Sequence, residues 1–141
     1  MQITYEIDKA VGVHEFIELL RRSTLSARRP IEDLACMRGM LENSDLMVTA
    51  WHGQKLVGVA RSVTDFHFCC YLSDLAVDGA YQKMGIGLEL QRLTQKQLKD
   101  RCKVIVLAAP DASGYYGHIG YTQHDRCWVL GSRDPLASLA S

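Results

Sequence analysis

The chain has 141 residues, 48% hydrophobic and 23% charged, the size and mix of one globular domain over residues 1–141. Its 16 basic and 16 acidic side chains cancel, which leaves no electrostatic footprint for nucleic acid or for an anionic membrane surface. No apolar run approaches the ~18 residues of a membrane span, and Met1-Gln2-Ile3-Thr4-Tyr5-Glu6 lacks the basic-then-apolar pattern of a secretory signal, so a cytoplasmic location is expected.

Ile3 to Ile7 alternates apolar and polar, as a short first strand does. Val13, Phe16, Ile17 and Leu20 recur at helical spacing and predict a helix over Val11 to Arg22. Pro30 suits the first turn of a second helix running to about Leu41. Leu46 to Trp51 and Leu56 to Val63 read as strands around a His52-Gly53-Gln54 turn. Phe66 to Val77 is a third, long apolar strand, so this part is an antiparallel meander. Leu88 to Arg101 is rich in good helix formers. Val104 to Ala109 is a continuous apolar run, as in a strand buried on both faces. Strand, helix and strand at this spacing predict a βαβ crossover. A short helix near Ser113 to His118 and a strand over Tyr121 to Leu130 follow, and the last ten residues are expected to fray.

The five cysteines, Cys36, Cys69, Cys70, Cys102 and Cys127, are odd in number, and no pair has the spacing of a metal knuckle. They read as reduced thiols, and no metal site is expected. The chemistry concentrates instead between the third strand and the helix after it. There, Gln82-Lys83-Met84-Gly85-Ile86-Gly87 leads into a helix N-terminus. Such a terminus presents amide N–H groups without intrahelical partners and the positive end of the macrodipole, so it binds phosphate oxygens. Glycines let the backbone approach the anion closely. A purely structural turn accounts for the two glycines equally well on spacing alone. The Gly-x-x-x-x-Gly-Lys-Ser/Thr loop is absent, and Leu90 stands where a dinucleotide fingerprint needs its third glycine.

The stretch from Tyr71 through Leu75-Ala76-Val77 to Gly87 resembles the GNAT superfamily of acyl-CoA-dependent N-acetyltransferases. It has that family's apolar strand, short turn and Gln/Arg-x-x-Gly-x-Gly/Ala loop. Tyr115-Tyr116-Gly117-His118-Ile119-Gly120-Tyr121 is similar to the family's aromatic-Tyr-x-x-x-Gly-Phe segment, with Tyr121 in place of Phe. Gly79-Ala80 departs from the proline common there.

The resemblance implies an α+β fold: a central, mostly antiparallel mixed sheet of about six to seven strands, flanked by about four helices, with a parallel pair splayed at the coenzyme. It implies acetyl-CoA as co-substrate, bound by Leu75, Ala76 and Val77 along the strand, by Gln82, Lys83, Met84, Gly85, Ile86, Gly87 and Leu88 at the loop, and by Tyr116. The implied reaction is direct acetyl transfer to a primary amine, either a small amine or a protein lysine or N-terminus. A homodimer is compatible with the family.

The reaction needs a neutral amine, a site for the oxyanion and a proton for the thiolate. Asp74 is nominated as the base, the alternative being a solvated or hydrogen-bonded strand residue, with Glu32, Asp65 and His67 as further carboxylate and imidazole candidates. By resemblance, Tyr116 stands at the sulfur as the acid. A phenol of pKa ~10 holds its proton until a thiolate of conjugate pKa ~8.5 departs. Arg28-Arg29 would suit an anionic acceptor or a solvated helix lead-in, and Met37, Met40 and Phe66 an acceptor pocket or the core. His14, His118 and His124 have no readable partners. Two other classes compete: a catalytically silent CoA-binding sensor or interaction module, and a phosphate or nucleotide binder that leaves the Tyr116 segment unexplained.

Overall fold

The computed structural model describes residues 1–138, so 139–141 of the expected fraying tail lie outside the described residues. The chain forms two compact units, Met1–Leu107 and Ala108–Ser141.

The first unit is built on a sheet whose strands β1 (Thr4–Ile7), β2 (Leu46–His52), β3 (Lys55–Thr64), β4 (Cys69–Val77) and β5 (Lys103–Ile105) lie in chain order. Neighbours are antiparallel except β4 and β5, which are parallel. Helices α1 (Val13–Arg21) and α2 (Leu34–Glu42) bring Phe16, Leu19, Leu20 and Met37 against Met47, Trp51, Val59 and Ala76. Helix α3 (Ile86–Lys96) brings Ile86 and Leu90 against Val48, Ala50, Val57, Ala60 and Leu72. The two helical faces explain why β2 and β3 are buried nearly end to end and do not alternate. Each large side chain sealed in these clusters contributes roughly 1.5–3 kcal/mol. Gly53 turns the β2–β3 hairpin with a φ of 62°, as a two-residue turn requires.

Local chemistry moves several element ends away from the predicted positions. The second helix starts at Leu34 rather than at Pro30, because the Asp33 side chain accepts the Cys36 N–H and caps it there. A single 3-10 turn, Ser26–Arg28, precedes it. Strand β4 starts at Cys69 rather than Phe66. The Asp65 carboxylate gathers the N–H groups of His67, Phe68 and Cys69 into a loop, and Phe66 has a φ of 67°. Helix α3 ends at Lys96, short of Arg101, and the Lys99 N–H turns aside to Phe66 O. Strand β5 ends at Ile105 rather than Ala109.

The second unit holds a 3-10 turn, Pro110–Ala112, and the predicted short helix, α4 (Ser113–His118). Residues 121–130 join no strand ladder, so among the described residues the sheet has five strands instead of six to seven. Their apolar members, Cys127 to Leu130, are consecutive and lack the period of two that registers a strand.

Candidate active site

The third and fifth strands fix what happens to the middle of β4. Arg61 pairs with Asp74 and Ser62 with Leu72, so Ser73 is an extra residue, a bulge. Parallel pairing with β5 covers only Cys69 to Tyr71, while β4 continues to Val77. Beyond the bulge the Asp78 N–H bonds Val57 O while Val77 stands opposite Gly58. Bonded and non-bonded pairs alternate in an antiparallel ladder, so Asp74 and Ala76 bond toward β3. Leu75 and Val77 therefore turn their N–H and C=O groups to the side that β5 has left. Ala76, the residue between them, is 3% exposed and packs in the core under α1. The open edge of β4 thus offers two residues' worth of unladdered backbone.

The loop after β4 leads from that edge to the start of α3. Asp78 is 3% exposed and anchors the turn from both sides. Its Oδ1 accepts the Ala80 N–H at 2.9 Å, and its Oδ2 accepts Arg22 Nε at 2.7 Å. Arg22 also donates to Leu56 O, and its own carbonyl accepts the Gly79 N–H at 2.7 Å. That bond explains the missing proline: a proline at position 79 would have no N–H to give, and a Cβ there would stand 3.2 Å from Arg22 O. The Tyr81 hydroxyl lies 2.7 Å from His52 Nδ1. Gln82 to Gly85 are exposed. Gln82 Nε2 reaches back to Val77 O at 3.4 Å.

Lys83 and Gly85 both take left-handed backbone, with φ of 64° and 80°. A side chain in that region costs roughly 1–2 kcal/mol, so the Lys83 conformation is stored strain of the sort found at ligand sites. Gly85 is the N-cap of α3 and no side chain caps it. The first intrahelical bond runs from the Glu89 N–H to Gly85 O. The N–H groups of Ile86, Gly87 and Leu88 therefore point off the helix start unused, at the positive end of its dipole.

Asp74, nominated as the base, is fully buried. Its Oδ1 accepts Arg29 Nε and its Oδ2 accepts Arg61 Nε, each at 2.5 Å. Any amine would meet this carboxylate only through the guanidinium groups that cover it. Asp65 sits exposed at a loop, and its pKa is lowered to about 2, chiefly by backbone hydrogen bonds from Phe68, Cys69 and His67. So acidic a carboxyl has little affinity for an amine proton near neutrality. Glu32 and His67 are exposed. Met37 is sealed in the core with Met40 packed beside it, and Phe66 packs on the α3 side. Arg28 is exposed, whereas Arg29 turns inward to Asp74.

Tyr116 belongs to the second unit, on α4. Its ring meets Tyr115 and Tyr121 edge-on at centroid distances of 5.2 Å, and its carbonyl accepts the Tyr121 N–H. Burial, with a smaller contribution from Tyr115, raises its phenol above the ordinary 10.0. It therefore stays protonated throughout the neutral range. No group of three or more potential metal ligands occurs among the described residues.

Arg22, Asp78, Arg61 and Ser73 escaped sequence reasoning as parts of the site. A signal for one of them, Arg61, was present. Arg61 and Asp74 are opposite charges set in otherwise apolar strands, and strands so placed pair them across the ladder.

A family model described as Acetyltransferase (GNAT) domain matches residues 22–128. A curated relative from Prochlorococcus marinus, described as an uncharacterized ycf52-like N-acetyltransferase, is 33% identical over 112 residues, 75% of this chain and 61% of its own. The chain spans about three fifths of the length of the curated relatives it matches, 61% and 62%. Among solved structures, a GNAT family acetyltransferase from Streptococcus pneumoniae superposes with a TM-score of 0.71 at 21% identity, over 92% of this chain and 98% of that one. AAC(6')-Iy in complex with the bisubstrate analogue CoA-S-monomethyl-acetylneamine does so with a TM-score of 0.70 at 11% identity, over 94% and 99%. Likeness at such identity speaks for the fold. The family match covers most of the chain and both of its motifs, and on that ground the chain belongs to the GNAT acetyltransferase family.

Proposed function

We propose that this chain is an N-acetyltransferase that moves the acetyl group of acetyl-CoA to a primary amine, on a small molecule or on a protein lysine or N-terminus, by direct attack in a ternary complex. The observation that carries the reading is backbone left outside the ladders at two places joined by one turn, the open edge of β4 at Leu75 and Val77, where only the Gln82 side chain reaches Val77 O, and the N–H groups of Ile86, Gly87 and Leu88 at the start of α3. Extended pantetheine amides suit the first, and a pyrophosphate suits the second. The residues fit the coenzyme: Gly85 keeps the helix start free of a Cβ, and the Arg22–Asp78 pair fixes the turn that precedes it.

In the reaction, the amine nitrogen bonds to the acetyl carbon, the carbon–sulfur bond breaks, and the amine gives up its proton to solvent water. A backbone N–H at Leu75 or Val77 holds the oxyanion while it forms. Tyr116 protonates the departing thiolate and regains its proton from solvent. Asp74 stays in the proposed catalytic set as the anion that holds two arginines beside the acetyl-bearing strand, not as the group that receives the amine's proton. The two units act in this reading as one acetyltransferase domain.

Thermal unfolding with ligand tests the coenzyme assignment. Acetyl-CoA or CoA at ~100 times its dissociation constant should add about 2.7 kcal/mol of stability, and ATP at the same concentration should add far less. Gly85→Val, which forces a β-branched residue into left-handed backbone, should abolish most of the CoA effect. Equal stabilisation by ATP, or none by either form of CoA, overturns the assignment.

A further inference from the structure

Arg29, Arg61 and Asp74 converge on one short stretch of β4 backbone. Arg61, only 5% exposed, donates from Nε to Asp74 Oδ2 and from Nη2 to Ser73 Oγ at 3.1 Å. Its Nη1 reaches Met40 O at 3.2 Å and Ser44 Oγ at 3.3 Å, at the end of α2. Arg29, from the segment between α1 and α2, donates from Nε to Asp74 Oδ1 and from Nη2 to Ser73 O at 2.7 Å. Its Nη1 donates to Arg28 O. Two guanidinium forks and one carboxylate thus grip Ser73 and Asp74, the residues at which β4 departs from regular pairing.

Burying such a cluster is costly, and apolar residues would fill a strand interior as well or better. The gain lies in register. A bulge leaves its extra residue outside the ladder, so the ladder alone holds it weakly. Removing it would slip one side of β4 by one residue, and a slip of one exchanges the inward and outward sets. Leu75 and Val77 would then bond to β3, and Ala76 would face the opening.

Resting on the acetyl-CoA reading above, we propose that Arg29 and Arg61, joined through Asp74, are positioning residues. They lock the Ser73 bulge and so keep the backbone groups of Leu75 and Val77 aimed at the acetyl end of the coenzyme.

Arg29 is the residue to test, because its side chain keeps 21% exposure and its loss leaves the Arg61–Asp74 pair in place. Arg29→Ala and Arg29→Lys would be compared with wild type in two measurements. The first is amide hydrogen exchange without ligand. Exchange at Asp74 and Ala76, the amides of this stretch that bond to β3, should quicken about tenfold or more in Arg29→Ala, with β2 unchanged. The second is calorimetric binding of CoA and of acetyl-CoA. CoA affinity should stay within about threefold, since the loop at Gly85 is untouched, and the ratio of acetyl-CoA to CoA affinity should fall about fivefold. Lysine should not rescue either property, because an ammonium does not bridge Asp74 and the Ser73 carbonyl as a fork does.

Exchange at Asp74 and Ala76 equal to wild type overturns the proposal. So does exchange that rises everywhere alike, which marks general destabilisation, or full rescue by lysine, which marks charge alone. A wild type that binds neither form of CoA refutes the acetyl-CoA reading, while the exchange result still decides the clamp.

Discussion

Tyr116→Phe should lower kcat for acetyl transfer about a hundredfold while leaving CoA affinity nearly unchanged, since a positioned general acid contributes roughly 10²–10⁴ in rate. Phenylalanine keeps the edge-on ring contacts with Tyr115 and Tyr121 and removes only the hydroxyl, so folding should survive. The pH profile sharpens the test. The acid works while protonated, and the Tyr116 phenol is raised above 10.0 by burial first and by Tyr115 second. Wild-type kcat should therefore hold through neutral pH and fall only above about pH 10, as the phenol ionises. The fall should vanish in the variant. An unchanged rate across the pH range would remove Tyr116 from the mechanism.

Asp74→Ala should destabilise the protein by about 3–5 kcal/mol, because it strands Arg61 in the interior without an anion. At roughly 2–4 °C per kcal/mol for a chain of about this size, Tm should drop by about 6–20 °C. Replacing the charged pair together, Arg61→Met with Asp74→Leu, should recover most of that stability, since apolar residues of similar volume replace buried pairs at little net cost. Activity should not return, because the Ser73 hydroxyl loses the Arg61 fork and Arg29 loses the carboxylate that holds it against the Ser73 carbonyl. Calorimetric unfolding of the single and double variants checks the first claim, and turnover of the double variant checks the second. An active double variant would make the cluster a matter of stability alone.

The sequence carried the sheet's meander well because β2 and β3 are long apolar runs punctuated by Gly53, and both ends of each were readable to within about a residue. The Gln82 to Gly87 loop proposed for the coenzyme was legible for a similar local reason: glycine, left-handed backbone and a helix start all fall within six residues. Hidden instead were features made by distant partners. Arg29 lies 45 residues from Asp74 and Arg22 lies 56 from Asp78, and no local pattern announces such pairs. The bulge at Ser73 is equally silent, since Tyr71 to Val77 reads as an unbroken strand until β3 is laid beside it. The start of α2 is ambiguous in the sequence because Pro30 and Asp33 both signal helix entry, and the capping hydrogen bond of Asp33 outweighs the favourable φ of proline. The strand expected over residues 121–130 rested on composition without alternation, and no ladder formed there.

The central claim is acetyl transfer to an amine, and thiol release from acetyl-CoA measures it directly. Purified protein would be given acetyl-CoA with phenylethylamine, spermidine, a lysine-bearing peptide and a peptide with a free N-terminus, and free CoA would be followed against enzyme-free controls. At least one amine should raise CoA release about tenfold or more above the amine-free rate, with the acetylated amine recovered in equal amount. Release that no amine stimulates, from a protein that nonetheless binds acetyl-CoA, would contradict the enzyme and leave a CoA-binding module in its place.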